Sequence, residues 1–286
     1  MYASSIRSDF NTSQLDQFFQ NDQDRLELES WYNNFTGSNK EKIKKAVDDV
    51  IKWSYIYSLD LSNSGLNSIQ LDELLKILDK MDKLSQLIIL DLSQNKLTFL
   101  PDSVSTLTHL TTLYLYQNKL TFITDRVGNL IRLHRLDLSY NGLILVPDSI
   151  DKLSQLEDLD LSYNRLTFIT DRVGKLYRLN KLDLSHNLLL SVPESMGNLS
   201  QLELLDLSHN QLTSLFENIG ELDNLFSLDM RDNRLTSLPK SLFNLTSNLG
   251  VCVVGNNLSE EVEKKLEEAM LVTNTEYKGP FIIFKA

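Results

Sequence analysis

The sequence repeats at a fixed interval, and this interval constrains the fold more than any other feature. Each copy follows the pattern L-x-x-L-x-L-x-x-N-x-L, as in Leu87, Leu90, Leu92 and Asn95. No unit of this size can bury its own apolar face, so successive units must stack. The asparagines recur every 23 residues, at Asn95, Asn118, Asn141, Asn164, Asn187, Asn210, Asn233 and Asn256.

The spacing inside one unit predicts its local structure. Leu90 and Leu92 alternate with polar residues, which is typical of a short strand with one buried face. Asn95 follows where the chain leaves the strand, and we expect its side-chain amide to bond backbone groups of the turn and of the next coil. The apolar positions from Leu100 to Leu110 are spaced by four, three and three residues, which predicts a loose helix or helical turns on the outer side.

Two degenerate copies extend the array to nine repeats over residues 56–258. The first copy has Ser64 in place of the asparagine and is eight residues longer, and the extra residues in Leu71–Leu84 predict a helix. The last copy ends at Asn256 and Leu258. We therefore expect an N-terminal cap over residues 1–55 and a capping helix with a tail over residues 259–286.

Both ends carry helical patterns, as a solenoid needs to cover its exposed edges. Residues 13–53 are predicted to be helical, and Ser38 with Glu41 has the spacing of a capping box. Ser259, followed by Glu260, is the expected N-cap of the last helix. The apolar stripes of these ends are Phe18, Phe19, Trp31, Ile43, Ala46, Val47, Val50 and Ile51 at the start, and Val262, Leu266 and Ala269 near the end.

Composition excludes several functional classes. The chain has 28 Lys and Arg against 39 Asp and Glu, a net charge of −11, which disfavours nonspecific nucleic-acid binding. A single cysteine, Cys252, excludes an intrachain disulfide and a multi-cysteine zinc site. The sequence also shows neither a signal peptide nor an apolar run of membrane-spanning length. We expect no cofactor, no membrane insertion and a cytoplasmic location, either in the cell that makes the protein or after translocation into a host cell.

The motif resembles the leucine-rich repeat in its 23-residue form, over residues 56–258. This resemblance implies an α/β horseshoe solenoid with a parallel concave β-sheet, a helical N-terminal cap and a C-terminal capping helix. It also implies a concave face that binds protein, since the family rarely carries catalysis in its repeats.

A narrower resemblance concerns the first cap. Trp31, Gly37, Glu41, Ala46 and Trp53, followed by Ser58–Leu66, look like the helical cap and first repeat of bacterial leucine-rich-repeat effectors, which are injected by type III or type IV secretion. The tail, with five glutamates in residues 260–268 and Phe284, is similar to type IV translocation signals of the Legionella kind. An acidic capping helix explains the same residues equally. The cysteine-dependent ligase domain of some such effectors is not expected, since Cys252 lies inside the last coil.

Strand residues between the buried leucines should line the concave face. One column is mostly aspartate, the next mostly serine, and the third holds tyrosines and then histidines. Our candidate partner-binding residues are Tyr114, Tyr116, Arg135, Asp137, Tyr140, Asp158, Asp160, Tyr163, Lys181, Asp183, His186, Asp206, His209, Asp229 and Arg231.

We assign different roles to these groups. The tyrosines are the expected anchors, because exposed Tyr brings apolar area and a polar tip at low entropic cost. The Asp column is expected to bond adjacent serines and to favour a partner with a basic or mixed surface, while Arg135, Lys181 and Arg231 would fix the register of that partner. His186 and His209 with Asp183 or Asp206 are a weak metal-ligand set, and we expect no metal.

Three functional hypotheses remain. The first is a noncatalytic interaction module, namely a bacterial effector that binds a host protein through its concave face. The second is an adaptor that recruits a host kinase or ubiquitin ligase to a substrate. The third, a hydrolase on the Asp column, is disfavoured because catalytic carboxylates need two environments that separate their pKa values, whereas a repeated column offers nearly identical ones.

Overall fold

The computed structural model describes residues 22–52, 55–245, 249–271 and 281–283. Its centre is one parallel sheet of ten strands that lie side by side in chain order. Every adjacent pair is in register, so that Leu136 pairs with both Leu113 and Leu159. The strands are β1 Ser58–Asp60, β2 Ile89–Asp91, β3 Thr112–Tyr114, β4 Arg135–Asp137, β5 Asp158–Asp160, β6 Lys181–Asp183, β7 Leu204–Asp206, β8 Ser227–Asp229, β9 Gly250–Cys252 and β10 Phe281–Ile283.

Most coils return to the next strand through a short 3₁₀ helix. The apolar spacing predicted a loose helix or helical turns here, and the structure has the helical turns. A proline or threonine in extended conformation precedes most of these helices, for example Pro147 before η3 and Thr170 before η4. The helices are η1 Asp102–Thr106, η2 Asp125–Asn129, η3 Asp148–Lys152, η4 Asp171–Lys175, η5 Glu194–Asn198, η6 Ile219–Glu221 and η7 Lys240–Asn244.

The repeated leucines form one continuous core. Leu90, Leu113, Leu136 and Leu159 are fully buried at the middle of their strands, and each leucine two residues later is buried as well. The expected α/β solenoid with a parallel sheet is therefore confirmed. We number each coil after its strand.

The asparagines join neighbouring coils through backbone groups. Asn164 is buried; its Oδ1 accepts from the Leu143 amide at 2.9 Å, and its Nδ2 donates to the carbonyl oxygens of Leu138 at 3.0 Å and of Leu161 at 3.0 Å. Leu138 and Leu143 belong to the preceding coil, so the expected bond to the next coil was wrong in direction. The reason is that the turn after each strand lies over the turn of the coil before it.

The N-terminal cap consists of α1 Asp22–Asn34 and α2 Lys40–Lys52. The capping box expected at Ser38 is wrong by one residue, because Asn39 is the N-cap and its Oδ1 accepts from the Lys42 amide at 3.2 Å. The apolar stripe of α2 is confirmed, with four of its members buried and Ala46 packed on the core. The predicted helical residues 13–21 and Trp53, like the stripe members Phe18 and Phe19, lie outside the described residues.

The helix expected in the longer first repeat is α3, Ser68–Lys80, which buries Leu71, Leu74, Leu75 and Leu78. Its N-terminus has a true capping box between Asn67 and Gln70. The sequence pattern predicted the helix but not this cap. Trp31 of α1 donates from Nε1 to the Gln70 carbonyl at 3.2 Å and so ties α1 to α3.

The C-terminal end adds a helix and a strand. Helix α4, Glu260–Leu271, begins after Ser259, whose hydroxyl accepts from the Val262 amide at 3.4 Å as expected. Strand β10 pairs with β9, which no sequence signal predicted. Leu266 is fully buried, whereas the Ala269 side chain and Phe284 lie outside the described residues. None of the described helices is long and apolar enough to cross a lipid bilayer.

Candidate partner-binding face

Five rings from five consecutive coils form a continuous stack, which we call the aromatic ladder (Tyr116, Tyr140, Tyr163, His186 and His209). Tyr116 meets Tyr140 edge to face, with centroids 5.3 Å apart. The next three pairs are stacked face to face, with centroid distances of 4.0, 3.9 and 4.0 Å. The ladder is partly exposed, since Tyr140 keeps 43% of its surface in contact with solvent and Tyr163 keeps 40%.

The ring spacing places the ladder on the inner side of a curve. Strands in a sheet lie about 4.8 Å apart, yet the stacked centroids are 3.9 to 4.0 Å apart. Coils must therefore converge toward this side. Successive ring planes also differ by 13°, 14° and 16°, as progressive rotation of the coils would give. The ladder thus lies on the concave surface.

The backbone at the ladder positions is left-handed. The φ angles of Tyr140, Tyr163, His186 and His209 lie between 52° and 53°. Bulky side chains rarely adopt this region, which favours Gly, Asn and Asp. The same turn position carries Gln94, Gln117 and Asp232 in other coils, with φ between 53° and 58°. The left-handed conformation is therefore common to these coils, whereas only four of them place an aromatic ring at this position.

Neighbouring groups and burial shift the pKa values of two ladder residues. A hydrogen bond with the neighbouring Tyr163 raises the pKa of the Tyr140 hydroxyl. Burial, and then the nearby His209, lower the pKa of His186. The Nδ1 atom of His209 lies 3.3 Å from a carboxylate oxygen of Asp232, which closes this end of the stack. At neutral pH the ladder therefore presents an uncharged His186.

The Asp column lies beside the ladder and has a structural role in each coil. The Asp137 Oδ1 accepts from the Ser139 amide at 2.9 Å and from its hydroxyl at 2.6 Å, and Asp160 and Asp183 bond Ser162 and Ser185 in the same way. Burial is the main cause that raises the pKa of Asp137 and of Asp183, and neighbouring carboxylates add to it. The serines bonded to these carboxylates are buried rather than exposed, so the serine column expected on the surface was placed wrongly.

The cations expected to fix partner register behave differently from one another. Arg135 pairs with Asp158 at 3.1 Å and lies 3.5 Å from the Tyr114 hydroxyl. Arg231 is paired with Asp229. Within the described part of the chain, Lys181 has no carboxylate within 4.0 Å. The remaining candidates, Asp206, Asp229 and Tyr114, are half-buried strand residues on the same sheet face.

The histidines do not converge on a common point. His186 and His209 stack with 16° between their planes, so their nitrogen lone pairs, which lie in the ring planes, point side by side rather than toward one ion. In the described ranges, no group of three or more His, Cys, Asp or Glu side chains is arranged to hold a metal.

A second exposed aromatic column, which was not predicted from the sequence, consists of phenylalanines. Phe99, Phe122 and Phe168 follow the asparagine by four residues in coils 2, 3 and 5, and they are 37%, 47% and 53% exposed. A signal for them exists in the repeated segment Asn-Lys/Arg-Leu-Thr-Phe, which starts at Asn95, Asn118 and Asn164.

Comparisons with known proteins identify the repeat. A family model described as "Leucine rich repeat" matches residues 108–166, 154–212 and 177–235, and a second one, "Leucine Rich Repeat", matches residues 86–107. Together they span more than half of the chain. No curated protein matches the sequence.

Solved structures match over most of this chain. A leucine-rich repeat protein of Leptospira interrogans has a TM-score of 0.67 and 29% identity, over 79% of this chain and 61% of its own. The ectodomain of the Arabidopsis thaliana receptor kinase GASSHO1/SCHENGEN3, solved with CASPARIAN STRIP INTEGRITY FACTOR 2, has a TM-score of 0.63 and 28% identity, over 80% and 26%.

An internalin of Listeria monocytogenes has a TM-score of 0.55 and 25% identity, over 70% of this chain and 53% of its own. The chain therefore spans less than two thirds of the length of each of these proteins.

Proposed function

Since this chain belongs to the leucine-rich repeat family, we propose that it is a protein-binding module whose partner docks on the aromatic ladder. The observation that carries the proposal is the stack itself. Four coils place a ring at a turn position where other coils place Gln or Asp, and Tyr116 adds a fifth ring from the position before Gln117. The five rings pack on one another. The core would be complete with any residue at this position.

The ladder suits binding energetically. Rings already held by stacking lose little conformational freedom when a partner covers them, and preorganised aromatic residues are typical binding hot spots. The stacked faces are covered by their neighbours, so a partner meets ring edges, the hydroxyls of Tyr140 and Tyr163, and the imidazole nitrogens. A partner with hydrogen-bonding groups along an extended surface could bond these hydroxyl groups and imidazole nitrogens.

Charge narrows the class of partner. The Asp column runs beside the ladder in coils 4 to 7 and continues into coil 8, and the molecule carries a net charge of −11. This field favours a partner with a basic or mixed surface, chiefly by steering its approach. Because Arg135 and Arg231 are neutralised within the chain, Lys181 is the cation best placed to meet an acidic group of the partner.

A crosslinking experiment tests this assignment. A photo-crosslinking residue in place of Tyr140 should capture the partner, whereas the same residue in place of Tyr177, which is 57% exposed, should not. Tyr177 lies two residues after η4, in the segment that leads from this helix to β6 and outside the ladder. Equal capture from both positions, or capture from position 177 alone, would contradict the concave assignment.

The finer proposal is that the protein is a bacterial effector delivered into a host cell, where it binds a host protein. Its support is the resemblance of the first cap and the glutamates of α4 to effector sequences, together with similarity to two bacterial repeat proteins. A translocation reporter fused to the chain should enter host cells from a strain with a working type IV apparatus and fail from a strain without it. Equal reporter signal from both strains would refute delivery by that route.

An adaptor role is the second candidate function. It requires two surfaces that hold two partners at once, and the exposed Phe column offers a surface distinct from the ladder. A ternary complex with a kinase or ligase, retained when the ladder partner is bound, would support it. Competition between the two partners would exclude it.

A further inference from the structure

A second exposed surface lies next to the concave face, on the flank where the chain leaves the strands. It consists of Lys96 and Phe99 in coil 2, Lys119 and Phe122 in coil 3, and Arg165 and Phe168 in coil 5, all of them exposed. We call it the Phe flank. Leu145 of coil 4 is half-buried at the same turn position, so the apolar column is continuous over four coils.

The apolar residues of this flank are not required by the fold. The position of Phe99, Phe122 and Phe168 is taken by Ser191, Ser214 and Ser237 in coils 6 to 8, which form the same turn and the same parallel pairing. Large exposed apolar side chains in a row are unusual on a surface that only meets water. Large residues at this one position are restricted to coils 2 to 5, and coil 6 continues the apolar surface with the exposed Leu188 and Leu190 of the same turn.

The cations of the flank form no ion pair with any residue in the described part of the chain. Other basic residues form ion pairs, as Arg126 does with Asp102 and Arg172 with Asp151. Among the described residues, Lys96, Lys119 and Arg165 have no carboxylate within 4.0 Å, although acids outnumber bases by 39 to 28 in the sequence. The flank is thus a basic and apolar strip on an acidic molecule.

The flank also opens into neighbouring grooves. Arg165 lines a groove with Tyr163 and His186 on the ladder side. Phe168 lines a second groove, whose wall carries two cations, Arg172 and Lys175, and two aspartates, Asp148 and Asp171. Arg172 and Lys175 are already paired with aspartates, so Arg165 is the cation that the flank presents at its border with the ladder.

We propose that the Phe flank docks an acidic amphipathic segment of a partner protein, with aromatic or aliphatic side chains against the phenylalanines and Asp or Glu against Lys96, Lys119 and Arg165. Charge complementarity selects this occupant. A basic segment, which the Asp column favours, would meet uncompensated like charge here. The flank is therefore a site of different specificity from the ladder.

Selection from a displayed library of random peptides tests this inference. The full chain is the bait, and the matched variant F99S, F122S and F168S is the counter-bait. The serines copy what coils 6 to 8 already carry, so an unchanged melting temperature is expected. Peptides that bind the wild type at least about tenfold more tightly than the variant should combine net negative charge with aromatic or aliphatic residues.

Two further variants make the outcome decisive. Lys119→Gln with Arg165→Gln, which copies Gln211 of coil 7, should weaken the selected peptides and reduce the salt dependence of their binding. Tyr140→Ala with Tyr163→Ala should leave their binding unchanged, which separates this inference from the proposed function. The inference is overturned if no peptide discriminates between the baits, if the selected peptides are basic, or if the tyrosine variant abolishes binding. Loss of wild-type self-association in the serine variant would assign the flank to a second copy and would also overturn it.

Discussion

At the scale of single residues, the repeated polar positions have clearly different roles. Asn164 and its equivalents are buried or half-buried and satisfy backbone groups of two coils. Asp137 and its equivalents hold the following turn through amide and hydroxyl bonds. The ladder residue between them, for example Tyr140, makes no such backbone bond with its side chain and is free to serve binding.

Asn164→Ala should destabilise the protein by roughly 1–3 kcal/mol, since it leaves the buried Leu143 amide without a partner. The carbonyl groups of Leu138 and Leu161 each lose one donor but keep a second one, from Asn141 and Asn187. Asn198→Ala, at an exposed position of η5, is the control and should cost less than about 0.5 kcal/mol. Urea unfolding of both variants measures the difference. Equal costs would contradict the role assigned to the asparagines.

His186 should titrate at a lower pH than an ordinary histidine, because burial and the adjacent His209 disfavour its charged form. The folded state therefore binds this proton less readily than the unfolded state, so its contribution to stability is present above pH ~6.5 and is lost as the pH falls. Proton NMR of the imidazole gives the pKa directly. In the H209Q variant, which removes the neighbouring imidazole, the His186 pKa should rise, and an unchanged value would contradict the coupling.

At the scale of elements, each 3₁₀ helix is fitted closely to the next. Gly174 in η4 leaves no room for a side chain, since a Cβ atom there would lie 2.2 Å from the Ser195 carbonyl oxygen of η5. Gly142, in the turn after β4, would place its Cβ at 3.4 Å from the nearest atom. Gly142 thus has room for a methyl group, whereas Gly174 does not.

Gly174→Ala should lower stability by about 1–3 kcal/mol through overpacking, because the nearest clashing atom, the Ser195 carbonyl oxygen, is backbone and cannot rotate away. Gly142→Ala is the matched control and should be nearly neutral. Thermal melts of the two variants test this contrast. A neutral G174A variant would mean that η4 and η5 can separate at no cost.

At the scale of the whole molecule, stability is a sum of coil and interface terms, and the ends are the weakest points. Strand β10 covers the edge of β9, and α4 packs Leu266 into the core beside it. The N-terminal end is covered by α1 and α2 instead, where Ile43 is fully buried. The two ends are thus closed by different structures.

Removal of residues 281–286 should expose the edge of β9. We expect amide exchange in Gly250–Cys252 to accelerate at least about tenfold, while β5 remains protected, because each coil contacts only its neighbours. Hydrogen–deuterium exchange of both chains measures this. Uniform acceleration across all strands would show instead that the array unfolds as one unit.

The sequence predicted the array well because its physics is local and repeated. The 23-residue period predicted the strands, the core and the buried asparagines. It could not predict that Ser139 folds under Asp137, since alternation applies only inside a strand and β4 ends at Asp137. The pairing of β10 with β9 joins segments without a repeat signal, and the stacking of Tyr163 on His186 depends on a left-handed turn that the sequence does not mark.

The most direct test of the account is the affinity of the captured partner for two matched variants, measured by calorimetry. Tyr140→Ser with Tyr163→Ser should weaken binding at least about tenfold, as loss of two central aromatic anchors would. Tyr177→Ser, at an exposed tyrosine outside the ladder, should leave the affinity unchanged. Equal affinity of the wild type and the double variant would contradict the claim that the aromatic ladder is the partner-binding site.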